Sequence, residues 1–222
     1  MDALLRRRLM MLGGGGPTPP PTPVPVFYDW LVFDGTAYID TSILWPENGS
    51  MRCEMGRETV KATQRVFAAG NSSGLVGIVW GGGTNTTRRQ VLPYYDSTSY
   101  LVSNYYFAFS YSTGGVFLTP KKVGYGNNNK TITKGSSRPS TALVIGNNYG
   151  HSGQSFTGSM KTFYIYGSDA QDVTSFAGFG SYTPVYTLRP CLYEEEAGFW
   201  CVETNTFYGN TAGAGSLSVS NT

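Results

Sequence analysis

Charge is scarce in this chain: Asp, Glu, Lys and Arg make up 14% of its 222 residues, against roughly 25% in an average globular domain. What charge there is sits unevenly. Of 16 basic and 14 acidic residues, Arg6, Arg7, Arg8 and Asp2 fall in the first eight positions, and the remainder is neutral. A nucleic-acid binder needs a basic face to neutralise phosphates. The body of this chain supplies none, so no nucleic-acid partner is expected. Metal chemistry is equally short of ligands, because His151 is the single histidine and Cys53, Cys191 and Cys201 lack the C-x-x-C spacing of a zinc site. No metal and no cofactor are expected. Three thiols form no paired framework. A Cys191–Cys201 bridge across a final hairpin is conceivable, but the favoured reading is small buried hydrophobes.

Long apolar runs are also missing. Leu9 to Leu12 is far shorter than the 7–15 residue apolar core of a signal peptide, and four glycines follow it directly. Nothing approaches the roughly 20 apolar residues of a membrane span. The expectation is therefore a chain made and assembled in a cytoplasm, with no membrane partner.

Aromatic residues and glycine are plentiful, at 14% and 29 residues respectively, with Tyr the commonest aromatic at 16. Frequent glycine suits a protein of many turns. From Val26 onward the pattern is β. Leu31 to Phe33, Met51 to Glu54, Val66 to Ala69, Arg89 to Tyr95, Tyr105 to Tyr111, Val116 to Leu118, Thr131 to Thr133 and Ala142 to Ile145 read as short strands, and Leu75 to Trp80 as a buried one. Asp34-Gly35 and the Asn/Gly clusters around 124–129 and 147–153 mark turns. Residues 169–176 can make one turn of helix at most. About a dozen short strands in one core's length of chain predict an all-β sandwich or jelly roll.

Residues 1–26 are organised differently. Leu4, Leu5, Leu9, Met10 and Leu12 cluster on one side of a predicted short helix, with Arg6, Arg7 and Arg8 opposite. An isolated helix of this length is marginal in water and needs a surface to dock on. Gly13 to Gly16 provide a hinge, and Pro17 to Pro25 a stiff polyproline spacer. Amphipathic plug, hinge and spacer together form an N-terminal docking arm, with residues 27–222 as the β-domain. The candidate docking residues are Leu4, Leu5, Arg6, Arg7, Arg8, Leu9 and Leu12, and the same segment offers a route to homo-oligomers.

Four motifs stand in order along the β-domain: Phe33-Asp34-Gly35-Thr36-Ala37-Tyr38-Ile39-Asp40-Thr41; Ala142 to Gly146 with Phe156 to Met160; Phe163 to Tyr166 followed by Pro190-Cys191; and Gly198-Phe199-Trp200 with Phe207-Tyr208-Gly209-Asn210. This succession resembles the concanavalin A-like (laminin-G-like) jelly-roll domains of bacteriophages and prophages of gut bacteria. The resemblance implies carbohydrate binding or virion decoration. Hydrolases on related sandwiches carry acids alternating as E-x-D-x-E. Here Glu54 and Glu58 stand with Gly56 and Arg57 between them and no third acid, so no enzyme is expected. Glu194-Glu195-Glu196 reads as a solvated hairpin turn. Relatives that bind calcium supply acids from the loop after the "I-G" strand, and Asn147-Asn148-Tyr149-Gly150-His151 contains none.

Glycan recognition pairs an aromatic ring with neutral donors and acceptors. The candidates are Trp80, Tyr94, Tyr95, Tyr100, Asn147, Asn148, Tyr149 and His151, with Tyr149 and His151 at an expected loop tip. The leading expectation is a non-enzymatic, virion-associated adhesion or decoration protein. Its arm, residues 1–26, would dock on a phage capsid or other virion protein, and its domain would bind host-surface or mucus glycans weakly. The alternatives are a carbohydrate-binding module of a bacterial, prophage-derived protein and, third, a polysaccharide hydrolase.

Overall fold

The computed structural model describes residues 23–56, 64–71, 74–81, 89–94, 106–107, 114–125, 128–132, 139, 141–147 and 154–222. The predicted helix, hinge and most of the polyproline spacer, with every candidate docking residue, lie outside these. Two sheets form a sandwich. The larger contains β1 (Val26–Phe27), β2 (Trp30–Asp34), β4 (Ser50–Gly56), β9 (Gly114–Leu118), β10 (Lys122–Tyr125), β11 (Asn128–Thr131), β14 (Thr157–Met160), β15 (Phe163–Tyr166), β16 (Tyr186–Tyr193), β17 (Glu196–Cys201), β18 (Thr206–Tyr208) and β19 (Leu217–Ser220). The smaller contains β3 (Ile39–Leu44), β5 (Gln64–Asn71), β6 (Gly74–Gly81), β7 (Arg89–Tyr94), β8 (Tyr106–Phe107), β12 (Ala142–Ile145) and β13 (Gln154–Ser155). Across the larger sheet the main order is β11-β10-β9-β4-β15-β16-β17-β18. Among the described residues, pairing is antiparallel except for the short β13–β5 contact.

Period-two burial explains the layers. In β4, Met51, Cys53 and Met55 enter the core between the sheets, whereas Arg52 and Glu54 face outward and stay half-buried. Phe67 of the smaller sheet bridges the layers, stacking on Trp45 at 5.6 Å and meeting Phe163 edge-on at 5.4 Å. All three cysteines are buried and free. Register places Cys191 opposite Gly198 and Cys201 opposite Leu188, three positions apart on opposite faces, so no bridge joins them. Burial pushes the Cys191 thiol up to about 11, and it pushes the Cys53 thiol up further still.

A second, smaller core lies on the outer face of the larger sheet. Two 3-10 turns, Ser168–Ala170 and Ala177–Ser181, hold a segment across it. The first is the single turn expected from the sequence; the second was not expected. Phe179 packs on Tyr166 at 4.7 Å and on Phe117 at 5.9 Å, with Ala170 and Val173 beside them. Outward-facing Phe117 and Tyr166 are thus aromatic because this segment covers them. Burial raises the Tyr166 phenol above its usual range, against the pull of the nearby Arg52 charge.

The Asp34-Gly35 turn does more than reverse the chain. Asp34 Oδ1 accepts from Thr36 N, Thr36 Oγ1 and Ala37 N at 2.8–2.9 Å, and Oδ2 accepts from Ser216 N at 2.5 Å. It therefore latches the approach to β19 onto the end of β2. Gly215, at φ +77°, closes on this latch where a side chain would strike Thr36 and Ala37. Partial burial alone would raise the Asp34 pKa, but these hydrogen bonds outweigh it and hold the value at about 2, against 3.8 ordinarily. A depressed carboxylate contributes stability above its unfolded pKa and loses it as pH falls through the folded one. Asp34→Asn is expected to cost about 1 kcal/mol at pH 7, after discounting for screening at this exposed group. The difference should shrink between about pH 4 and pH 2. Urea midpoints of both proteins across that range check this, and parallel pH profiles would contradict the latch.

Candidate functional site

Where the 3-10 segment ends, the outer face opens into a groove of about 380 Å³, within the size range of small-molecule sites. Its floor is Glu54 on β4, opposite Gly115 on β9. Phe176 forms one wall, lying over Gly115, where an added Cβ would sit 2.7 Å from its ring. The Phe117 ring, Ser175 and Ala177 continue that wall, and exposed Asn129 of β11 stands across the groove. Antiparallel alternation supplies the floor, and the covering segment supplies the wall.

Arg52, two residues before Glu54, holds Phe176 in place. Its guanidinium lies 4.8 Å from the Tyr164 ring centre and 5.5 Å from that of Phe176, within the range of cation–π attraction. Glu54 Oε2 pairs with Lys161 Nζ at 2.7 Å, both side chains being 39% exposed. Lys161 Nζ also lies 4.9 Å from the Trp30 ring centre. The groove therefore offers one carboxylate that can accept two hydroxyls, an amide, a hydroxyl and an aromatic wall. Glu54 is the one carboxylate among its lining residues. General acid–base hydrolysis uses a pair, and Glu58 lies outside the described residues. Among the described residues no three His, Cys, Asp or Glu side chains gather into a metal-binding group.

The sequence-predicted residues are distributed elsewhere. Trp80 falls on β6, paired with Gln64 and Val91, and Tyr94 on β7, opposite Gly77; their side chains lie outside the described set. So do Tyr95, Tyr100, Asn148, Tyr149 and His151. Asn147 is corrected: it is 2% exposed, and its Nδ2 donates to Ser155 Oγ at 3.1 Å. A buried amide needs partners, and this one ties the end of β12 to β13, out of reach of a bound sugar. Of the groove residues, sequence reasoning weighed Glu54 alone, as a catalytic acid, and missed Asn129, Ser175 and Phe176. The alternation in Met51–Met55 signals that Glu54 faces outward, but nothing local signals what meets it.

No protein-family model matches the sequence, and neither does the sequence of any curated protein. Among solved structures, the chain is similar to a heptameric SAP-like pentraxin from Limulus polyphemus, at TM-score 0.50 and 14% identity over 82% of this chain and 95% of that one. It is also similar to a putative carbohydrate binding protein from Bacteroides ovatus, at TM-score 0.55 and 10% identity over 89% of this chain. The fold is the concanavalin A-like jelly roll. At these identities the likeness extends to the fold and no further. The chain spans 61% of the Bacteroides ovatus protein, and neither neighbour comes from a phage.

Proposed function

We propose that this chain is a non-catalytic, lectin-like domain that binds glycans in the groove above Glu54. The observation that carries the reading is the convergence of one carboxylate, Asn129, Ser175 and the Phe176 ring on a single concave site. Sugars present an apolar face for stacking and a hydroxyl edge for paired hydrogen bonds, and this lining meets both. Its single carboxylate, already paired with Lys161, supports recognition over hydrolysis. The fold shared with a putative carbohydrate binding protein agrees with this reading.

The test is a glycan array followed by calorimetry of the hits. Glu54→Ala and Phe176→Ala are each expected to weaken binding at least tenfold, with no sugar release by the wild type. Both variants binding like wild type would rule the groove out as the binding site. Release of reducing sugar that Glu54→Gln abolishes would establish the hydrolase reading instead.

On the same reading the domain sits on a virion, attached through residues 1–26, where many copies would turn weak single-site binding into avidity. The support for this is the amphipathic, glycine and proline order of that segment. Deleting residues 1–25 is expected to leave the domain folded and to strip it from purified particles. Virions that never carry the chain would end this part of the proposal and favour a bacterial carbohydrate-binding module.

A further inference from the structure

Strand register places the groove in line with a second set of exposed side chains. Arg52 of β4 pairs with Tyr164 of β15, and Tyr164 with Thr187 of β16. Extended one residue past the start of β15, the same register leads from Glu54 across Thr162 to Arg189. Arg189 pairs with Trp200 of β17, and Trp200 with Phe207 of β18. Glu54, Arg189, Trp200 and Phe207 therefore lie on one line across the outer face, perpendicular to the strands. With neighbouring strands ~4.8 Å apart, Trp200 stands about 14 Å and Phe207 about 19 Å from Glu54, a span of roughly three to four pyranose rings.

The far end of this line is aromatic. Tyr193 lies 5.3 Å from Trp200 and 5.4 Å from Phe207, centre to centre, and all three rings are half-buried. The Arg189 guanidinium is exposed and lies 3.9 Å from the Phe27 ring centre, Phe27 itself being 37% exposed. Glu54 and Lys161 neutralise each other, which leaves Arg189 as the sole net charge on the row.

Resting on the glycan reading of the groove, we infer that the bound species is a linear, neutral polysaccharide, held along a track from Glu54 to the Trp200–Phe207 surface. The groove takes one sugar unit. Arg189 donates to hydroxyls midway, and the rings of Trp200 and Phe207 stack on units further along. The ligand class is thus an internal stretch of about four or more units, and a terminal sugar alone would use only the first subsite.

Calorimetry with size ladders of gluco-, manno- and xylo-oligosaccharides, about two to eight units long, tests this. For the ladder that binds, affinity should rise at least tenfold between two and about five units and then level. Trp200→Ala should flatten the rise and leave the shortest ligand unchanged, whereas Glu54→Ala should weaken every length. Because Trp200→Ala also removes packing, Trp200→Phe serves as a folded control, in which the tryptophan emission change produced by long ligands should vanish. Length-independent affinity, or equal losses at all lengths in Trp200→Ala, would overturn the track and leave the groove standing. Failure of every ladder to bind would defeat the groove reading and the track together.

Discussion

Replacing Phe67 with alanine is expected to cost about 4 kcal/mol of folding free energy. Phe67 is fully buried and belongs to the smaller sheet. Its ring stacks on Trp45 with 14° between planes and meets Phe163, from the larger sheet, at 79°. Truncation would leave a cavity bounded by two other large rings and by paired strands, none of which can relax inward far. With total stabilities of about 5–15 kcal/mol, such a loss takes a large share of the fold's margin. Urea unfolding gives the measurement, with an unchanged slope showing that the unfolded state is the same. Phe27→Ala is the comparison, since that partly exposed ring should cost under about 1 kcal/mol. A loss below about 1.5 kcal/mol at Phe67 would mean that the two sheets do not depend on this wedge.

That core was largely legible in the sequence, because period-two alternation is a local signal. Met51, Cys53 and Met55 alternate with Arg52 and Glu54, and the apolar run from Leu75 marks a strand with Val76 and Ile78 buried. Glu194 and Glu195, read as a turn, form a two-residue hairpin loop with positive φ at both positions. The groove was not legible, because its parts come from three separated stretches of chain. Glu54, Asn129 and Phe176 meet only after β9, β10 and β11 order themselves beside β4 and the 3-10 segment folds over them. In sequence, Phe117 and Tyr166 resemble any core aromatic; only the register shows that they face away from the main core. Trp80, Tyr94, Tyr95, Tyr100 and Tyr149 drew attention as sugar contacts, whereas Trp200 and Phe207 did not, because their exposure depends on which face β17 and β18 present. Asn147 misled for a related reason: a polar residue beside glycines looks exposed until its buried partner, Ser155, is known.

Gly198→Ala is expected to destabilise the domain by about 2 kcal/mol and to disable the far end of the glycan track. Gly198 is buried on β17, opposite Cys191, beneath the Phe207 ring. A Cβ there would overlap the Tyr208 carbonyl oxygen and come within 2.7 Å of the Phe207 ring. Side-chain movement can relieve the second clash but not the first, since Tyr208 pairs with Phe199 in the same ladder. β18 is three residues long and, among the described residues, pairs with β17 alone, so displacing it separates the rows that align Trp200 with Phe207. Gly180→Ala is the matched control: nothing lies within 4 Å of its added Cβ, and a glycine replaced without strain tends to stabilise. Urea unfolding of the two variants measures the difference, and disaccharide binding reports on the groove separately. The groove residues lie on β4, β9, β11 and the 3-10 segment, so short-ligand affinity in folded Gly198→Ala should match wild type while long-ligand affinity falls to the same level. Equal stability of the two variants would show that β18 shifts at little cost, and the aromatic end of the track would then lack the rigid floor that holding a sugar chain in register requires.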